Sequence, residues 1–214
     1  MGVLPGIGGP LGRKPSLGLA LLTSAVGSGA TTIVIPALAQ AGDLCVVCAK
    51  CSTPRTPSTP SGWTLFDSAG GFNVGAWGKV LASGDIGASV QFISASDSAN
   101  GIIAMVFRGN QAIASFAAGA TFGSQATTGD PTTQVIASSL GAGNDVLALA
   151  HYASFNAISP RTASPEMNEI SGANTTQYAK HKIYSATDQP VDHTIDMDDE
   201  GAGNFLQSGW LIVV

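Results

Sequence analysis

Charged residues are scarce in this chain. They make up 11% of its 214 residues, against about 25% in a typical globular protein. The nine Lys and Arg residues do not cluster, and the formal net charge is −5. A protein that binds the nucleic-acid backbone needs clustered cations that displace counterions. The composition therefore argues against a nucleic-acid partner, while 44% hydrophobic residues can build a sizeable core.

Cysteine is scarcer still, and the three thiols lie within seven residues, at Cys45, Cys48 and Cys51. The segment is predicted to be a strand, which separates neighbouring thiols by roughly 10 Å and turns Cys48 to the opposite face. One metal ion holds its sulfur ligands at about 2.3 Å. We therefore interpret the cysteines as small buried hydrophobic residues outside any disulfide framework. A Cys3His metal site is the alternative if the segment is a loop.

The usual motifs of catalysis are also missing. The chain has no G-x-S-x-G nucleophile elbow and no P-loop. His151 stands among strand residues and is interpreted as a half-buried structural histidine. Glu166 and Glu169 do not suggest a glycosidase pair. The sequence thus predicts a protein that is not an enzyme and that uses no cofactor.

Negative charge is concentrated near the C-terminus, where six of the fourteen acids lie between Asp188 and Glu200. Within this run, Asp196, Asp198 and Glu200 match the first acidic positions of a calcium loop. The twelfth position is Gln207 instead of the bidentate glutamate of that loop. We interpret residues 196–201, "DMDDEG", as a solvated acidic turn, and a weak divalent metal site is the alternative.

The N-terminus carries no acid before Asp43, and Arg13 and Lys14 are the charges of that stretch. A basic pair followed by "LGLALLTSAV" imitates a signal peptide, although twelve apolar, Gly and Pro residues precede the pair. The apolar run is too short to span a bilayer. We favour a Gly/Pro-rich docking arm over residues 1–18, with partner contacts predicted at Leu4, Pro5, Ile7, Leu11 and Arg13. A signal peptide is the alternative.

Short apolar segments separated by turn residues predict an all-β fold from residue 19 to residue 214. Many short strands at close spacing are typical of a sandwich or barrel. The predicted strands are 19–26, 31–38, 44–50, 63–68, 73–81, 88–94, 101–108, 132–138, 145–153, 176–185, 191–197 and 205–214.

Two of these strands, 101–108 and 205–214, are apolar on both faces. A strand with one wet face alternates, so these strands are covered on both sides or meet another subunit. We interpret them as subunit contacts and expect a homo-oligomer.

The order of several segments resembles a family of structural proteins from tailed bacteriophages. The resemblance rests on Pro36, the turn at Gly42-Asp43, Gly62-Trp63, Trp77-x-Lys79 and the turn at Gly84-Asp85, followed by "FRG" at 107–109. It covers roughly residues 20–214 and implies a jelly-roll β-sandwich. Four large aromatic residues are predicted in the core: Trp63, Trp77, Phe107 and Trp210. We expect Asp43 and Asp85 to form turns, and Lys79 or Arg108 to bind loop carbonyls or a neighbouring subunit.

The resemblance implies a virion protein assembled in the host cytoplasm. It would decorate or cement the capsid, or form a minor tail component, with major capsid or tail proteins as partners. The alternative is an adhesin for host-surface glycans that uses loops 52–62, 109–131 and 154–175. Sugar sites usually stack on aromatic rings, and these loops offer Phe116, Phe122 and Phe155.

Overall fold

The structure, a computed structural model, contains strands throughout and no α-helix among the residues that it describes. The described residues are 16–27, 29, 31–51, 58–69, 74–94, 99–118, 123–127, 134–136, 144–154, 161–171, 176–188, 190–197 and 204–214. Strands of the first half are β1 (Ala20–Gly27), β2 (Thr32–Val34), β3 (Leu44–Cys51), β4 (Thr64–Ala69), β5 (Val74–Val80), β6 (Ser89–Gln91) and β7 (Ala99–Arg108). Those of the second half are β8 (Phe116–Ala118), β9 (Gly123–Thr127), β10 (Gln134–Ile136), β11 (Asp145–Ser154), β12 (Arg161–Ser164), β13 (Asn168–Ser171), β14 (Gln177–Tyr184), β15 (His193–Met197) and β16 (Asn204–Val213).

The first sheet has the strand order β1-β7-β3-β5-β4, and every pairing in it is antiparallel. Its central strand β3 is buried along all eight residues. The apolar residues of β3 occupy both faces, as expected of a strand with another layer on each side. The sheet places Leu44 opposite Phe107 and Cys48 opposite Ile103.

The second sheet has the order β13-β14-β11-β16-β8, with β9 also pairing with β16. Its central strand β11 is buried along all ten residues and pairs with β16 from Asp145↔Val213 to Ser154↔Asn204. Three short strands form a separate sheet in the order β10-β15-β12, and β2 pairs with β6.

The two large sheets pack face to face across an apolar layer. The first sheet contributes Leu44, Val46, Cys48, Ala76, Ile103, Met105 and Phe107, and the second contributes Leu147, Leu149, Ala179, Leu211 and Val213. The prediction of an all-β sandwich is confirmed. Its jelly-roll part is not confirmed, because each large sheet is built from one half of the chain.

The outer faces of both large sheets are covered by the same chain. Over the first sheet lie the side chains of Ile33, Ile35, Trp63, Phe92 and Ile93. The outer face of the second sheet holds Tyr152, Tyr184 and Trp210. The ring of His193, from β15, lies 5.9 Å from the ring of Tyr184 and 6.3 Å from that of Trp210.

This coverage corrects the interpretation of the doubly apolar strands as subunit contacts. Ile102, Ala104 and Val106 of β7 pack into the outer layer, and the alternate residues pack between the sheets. Trp210 and Leu211 likewise face opposite layers, and each is 0% exposed. The apolar faces of these two strands were therefore assigned wrongly, because loops and short strands of the same chain already cover them.

Each of the twelve predicted strands overlaps a strand of the structure, with shifts at the ends. The segment 31–38 is shortened to β2, where Pro36 follows and lacks an amide donor. The prediction missed β8, β9, β12 and β13. The sequences of these strands, "FAA", "GSQAT", "RTAS" and "NEIS", are short and carry no apolar alternation.

Candidate functional site

A buried carboxylate holds the point where the N-terminal segment enters the sandwich. Asp145 opens β11 and is 2% exposed. It accepts hydrogen bonds from Ser16 Oγ at 3.0 and 3.2 Å, from the Leu19 amide at 3.4 Å and from the Ala186 amide at 2.8 Å. A buried carboxylate without donors would cost several kcal/mol. Ser16 is thus joined to a residue 129 positions away in the sequence.

A second contact fixes the backbone just after Ser16. The Asn110 amide donates to the Leu17 carbonyl at 2.6 Å. Gly18 has φ of +60°, and a Cβ there would lie 2.3 Å from Asn110 Nδ2. Residues 16–18, predicted as the end of a separate arm, therefore belong to the folded sandwich. We call Ser16–Gly18 and their contacts to Asn110 and Asp145 the arm root.

An ion pair lies beside the arm root. Arg108 donates to Asp43 from Nε at 2.9 Å and from Nη2 at 2.7 Å, and Nη2 also donates to the Leu38 carbonyl at 2.9 Å. The hydrogen bond to Asp43 raises the pKa of Arg108. Asp43 also accepts from the Gln40 amide at 2.7 Å. The predictions that Asp43 forms a turn and that Arg108 binds a loop carbonyl are both confirmed.

A second ion pair, Lys79–Asp85, holds the turn that follows β5. Lys79 Nζ lies 2.6 Å from Asp85 Oδ1, and the Ala82 amide donates to Asp85 Oδ2 at 2.7 Å. Burial acts to raise the pKa of Asp85, but the bonds from Lys79 and Ala82 outweigh it and lower the pKa. Asp85 is confirmed as a turn residue.

The surface next to the arm root has a depression of about 280 Å³, lined by residues 40–43 and 108–112. Asn110 is part of both the depression and the arm root. The side chains of Val34 and Leu38 are 55% and 67% exposed, and the Leu38 carbonyl accepts a hydrogen bond from Arg108, which lines the depression. The depression is lined by backbone groups, side-chain amides and the Arg108–Asp43 ion pair, whose charges compensate each other. Such groups suit hydrogen bonds to a polypeptide better than acid–base catalysis.

A polar cluster lies inside the sandwich, at the end of the sheets opposite Asp145. His151 is 1% exposed, against the half burial expected from sequence. Its Nδ1 lies 3.0 Å from Gln207 Oε1 and its Nε2 lies 2.8 Å from Gln177 Nε2. Burial lowers the pKa of His151 to about 4. Sequence reasoning missed Gln177 and Gln207, because no pattern marks an interior-facing amide in a strand.

The cysteines behave as predicted. Cys45 and Cys51 pack in the outer layer, whereas Cys48 packs between the sheets, and all three are buried and form no disulfide. Burial raises the pKa of Cys45 and Cys48 well above the ordinary range of a thiol. The described residues contain no group of three or more His, Cys, Asp or Glu side chains placed to hold a metal ion.

The four predicted core aromatics are confirmed, with exposures of 7% for Trp63 and 0% for Trp77, Phe107 and Trp210. Other predicted site residues lie outside the described part of the chain: Leu4, Pro5, Ile7, Leu11, Arg13, Asp198 and Glu200. For Asp196 the structure describes the backbone alone, which pairs with Thr162.

The loops predicted for glycan binding are partly strands. Residues 109–131 contain β8 and β9, and residues 154–175 contain β12 and β13. Phe116 is half-buried, with its ring edge-to-face against Phe66 at 5.7 Å. Phe122 and Phe155 lie outside the described residues. Phe116 is therefore in part a packing residue of the sandwich.

Among the described residues, no helix has the length and hydrophobicity needed to cross a membrane. No protein-family model, curated protein or solved structure matches the chain.

Proposed function

We propose that this chain is a non-enzymatic structural protein of a bacteriophage virion. It decorates or cements the capsid, or forms a minor tail component, through its N-terminal arm and surface contacts of its sandwich. Its partners are major capsid or tail proteins, and its own copies repeat with the symmetry of the particle. The family resemblance of the strand order supplies the virion context.

The arm root is the observation that carries this proposal. Three hydrogen-bond donors, from Ser16, Leu19 and Ala186, converge on the buried carboxylate of Asp145. A segment attached in this way is held at a fixed position relative to the sandwich, whose central strands are buried. Docking of residues 1–15 on a partner would therefore place the whole sandwich in one orientation.

The sandwich supplies further apolar contact area. The apolar side chains of Val34 and Leu38 are 55% and 67% exposed. Together with the segment 1–15 they could bury the roughly 1,000 Å² that a specific interface requires. The apolar faces of β7 and β16 take no part, since the chain's own side chains cover them.

A charge-matched pair of full-length variants tests the proposal in purified particles. Leu4→Asp, Ile7→Asp and Leu11→Asp together put three charges into the arm. Asn168→Asp, Thr187→Asp and Thr194→Asp together put three charges on exposed positions in the second half of the sandwich, away from Val34 and Leu38 in sequence. We expect the arm variant to fold but to be missing from particles, and the control to be incorporated at the normal copy number. Normal incorporation of the arm variant would refute docking through the arm.

Gold labelling of intact particles with an antibody against the folded sandwich distinguishes the two locations. A regular lattice of label over the head indicates a decoration protein. Label confined to the tail indicates a tail component. Purified particles that contain none of the protein contradict the proposed function.

A further inference from the structure

A chain of hydrogen bonds crosses from one large sheet to the other through His151. Gln177 Nε2, from β14, donates to the carbonyl of Cys48 on β3 at 3.2 Å. The same nitrogen lies 2.8 Å from His151 Nε2, on β11. His151 Nδ1 in turn lies 3.0 Å from Gln207 Oε1, on β16. The chain thus joins the central strand of the first sheet to three strands of the second.

The Cys48 carbonyl determines the direction of every bond in this chain. A carbonyl oxygen can accept but never donate, so the NH₂ group of Gln177 must face it. That NH₂ group also faces His151 Nε2, which must therefore accept and carry no proton. The remaining proton sits on Nδ1 and is donated to Gln207 Oε1. The arrangement accommodates the neutral Nδ1–H tautomer of His151 and no protonated form.

Rotation of the Gln177 amide cannot rescue a protonated imidazole. After a flip, Gln177 Oε1 would face both His151 and the Cys48 carbonyl, which places two acceptors together. The present position of Oε1 is packed against the backbone of Gly101, where an added Cβ would lie 2.2 Å away. Oε1 has no hydrogen-bond partner among the described residues. A second proton on His151 therefore breaks its bond to Gln177.

The positive charge of Lys50 also disfavours a second proton on His151. Lys50, on β3, is 1% exposed and donates from Nζ to the Ser154 carbonyl. Burial is the largest cause of the lowered pKa of His151, and the positive charge of Lys50 also lowers it. The hydrogen bond with Gln207 opposes both effects, and the resulting pKa is about 4. The other strands packed on the ring present neutral groups, namely Gln177 from β14 and Gln207 from β16. The Cys48 thiol, whose pKa burial raises, is neutral too.

The opposite end of the same layer is built differently. Leu44 and Phe107 of the first sheet pack there with Leu147, Leu211 and Val213 of the second. The buried carboxylate of Asp145 lies at that end, as does His181, whose ring packs edge-to-face on Phe107 at 5.6 Å. Burial lowers the pKa of His181 to about 4, as it does for His151. Acid therefore adds a charge at both ends, and the His151 end differs because protonation there also breaks a hydrogen-bond chain between the sheets.

We propose that the His151 end of this interface is an acid-operated latch: a second proton on His151 breaks the cross-sheet hydrogen-bond chain and opens that end of the interface. The buried amide of Gln177 and the ammonium of Lys50 become accessible to water in the opened form. The latch is independent of the virion proposal, because its geometry lies wholly within the sandwich.

The direction of the pH effect follows from the neutral state of the folded histidine. His151 has a folded pKa of about 4, below its ordinary 6.5. The latch is therefore fully closed above pH 6.5 and weakens as the pH falls from 6.5 towards 4. One proton bound with that difference lowers the closing equilibrium about a hundred-fold by pH 4.

Two measurements on the full-length protein test the latch. Nitrogen-15 NMR of the His151 ring at pH 7 should show the Nδ1–H tautomer, and titration should place its pKa well below 6.5. Hydrogen exchange, corrected for the intrinsic rate at each pH, should show protection at residues 48–51 and 151–154 falling about a hundred-fold by pH 4. Once His181 is replaced by Gln, protection at residues 44–46 and 211–213 should fall much less.

A matched pair of variants tests whether His151 is the residue that causes the opening. His151→Gln keeps a donor and an acceptor without a titrating group, so protection at residues 48–51 should persist to lower pH than in the natural chain. His181→Gln removes the other interfacial histidine and should leave the midpoint at residues 48–51 unchanged. A protonated Nε2 at pH 7, simultaneous loss at both ends of the His181→Gln protein, or the same midpoint in the His151→Gln protein would overturn the proposal. If this variant does not fold, the tautomer and exchange data decide alone.

Discussion

Arg108 at the end of β7 binds both carboxylate oxygens of Asp43, with Nε at 2.9 Å from Oδ1 and Nη2 at 2.7 Å from Oδ2. The Asp43 side chain is 5% exposed and that of Arg108 is 31% exposed. The pair joins the end of β7 to the turn before β3. It thereby closes one side of the depression beside the arm root.

We expect Arg108→Met to lower the free energy of unfolding, because it leaves the buried carboxylate of Asp43 without its charged partner. The matched control is Lys79→Met, whose partner Asp85 is more exposed. That change should cost less than about 1 kcal/mol. Urea unfolding at pH 7 measures both. Equal losses of unfolding free energy would show that the deeper burial of Asp43 does not make its ion pair more stabilising.

We expect Asp145→Asn to weaken the arm root by about 2–3 kcal/mol. The substituted NH₂ group would face one of the three donors that now converge on the carboxylate. Ser16→Ala removes a single donor and should cost about 1 kcal/mol. Hydrogen exchange of the Leu19 amide and protease cleavage near residue 16 report the loosening. Unchanged exchange in Asp145→Asn would contradict the assigned role of the carboxylate.

Two glycines with positive φ allow the stability cost of a left-handed backbone to be measured apart from the cost of steric crowding. Gly42 has φ of +89°, and a Cβ there would lie 2.8 Å from the Cβ of Ala112. Gly87 has φ of +74° with nothing within 4 Å. Gly87→Ala should cost about 1 kcal/mol from the left-handed backbone alone. Gly42→Ala should cost about 1–3 kcal/mol more, since overpacking is added. Thermal unfolding of the two variants gives the comparison, and equal losses would refute the crowding at Ala112.

The three thiols should be unreactive in the folded protein. Cys45, Cys48 and Cys51 are at most 1% exposed, and burial raises the pKa of Cys45 and Cys48. Since the thiolate is the reactive form, iodoacetamide at pH 8 should modify them only through unfolding or local opening. Mass spectrometry should find all three modified in concentrated guanidinium. Rapid modification of the native protein would disprove their burial.

Strand positions were largely readable from local chemistry. The segment "LCVVCAK" was correctly predicted to be a strand with Cys48 turned away from Cys45. Turn chemistry identified Asp43 and Asp85 as turn residues, since a carboxylate can bind backbone amides a few positions away. The four missed strands carry no such local pattern and exist through their pairing partners, such as β14 for β13.

The layer that covers each strand could not be read from the sequence. An apolar face looks the same whether the chain itself or a second subunit covers it. Ile102 and Ile103 show this, because both are buried by side chains of the same chain. The assignment of their strand to a subunit contact failed for this reason.

The sequence by itself determined an all-β chain with low charge, buried thiols and aromatic core residues, because strand propensity, alternation and turn chemistry act over a few residues. The tertiary structure alone decided that Ser16 meets Asp145 and that Gln177 meets Cys48, in each case across 129 positions. Such contacts depend on how the sheets stack, and stacking is a property of the whole chain. The charge state of His151 follows from the same stacking, since its neutral form is set by a carbonyl on the opposite sheet.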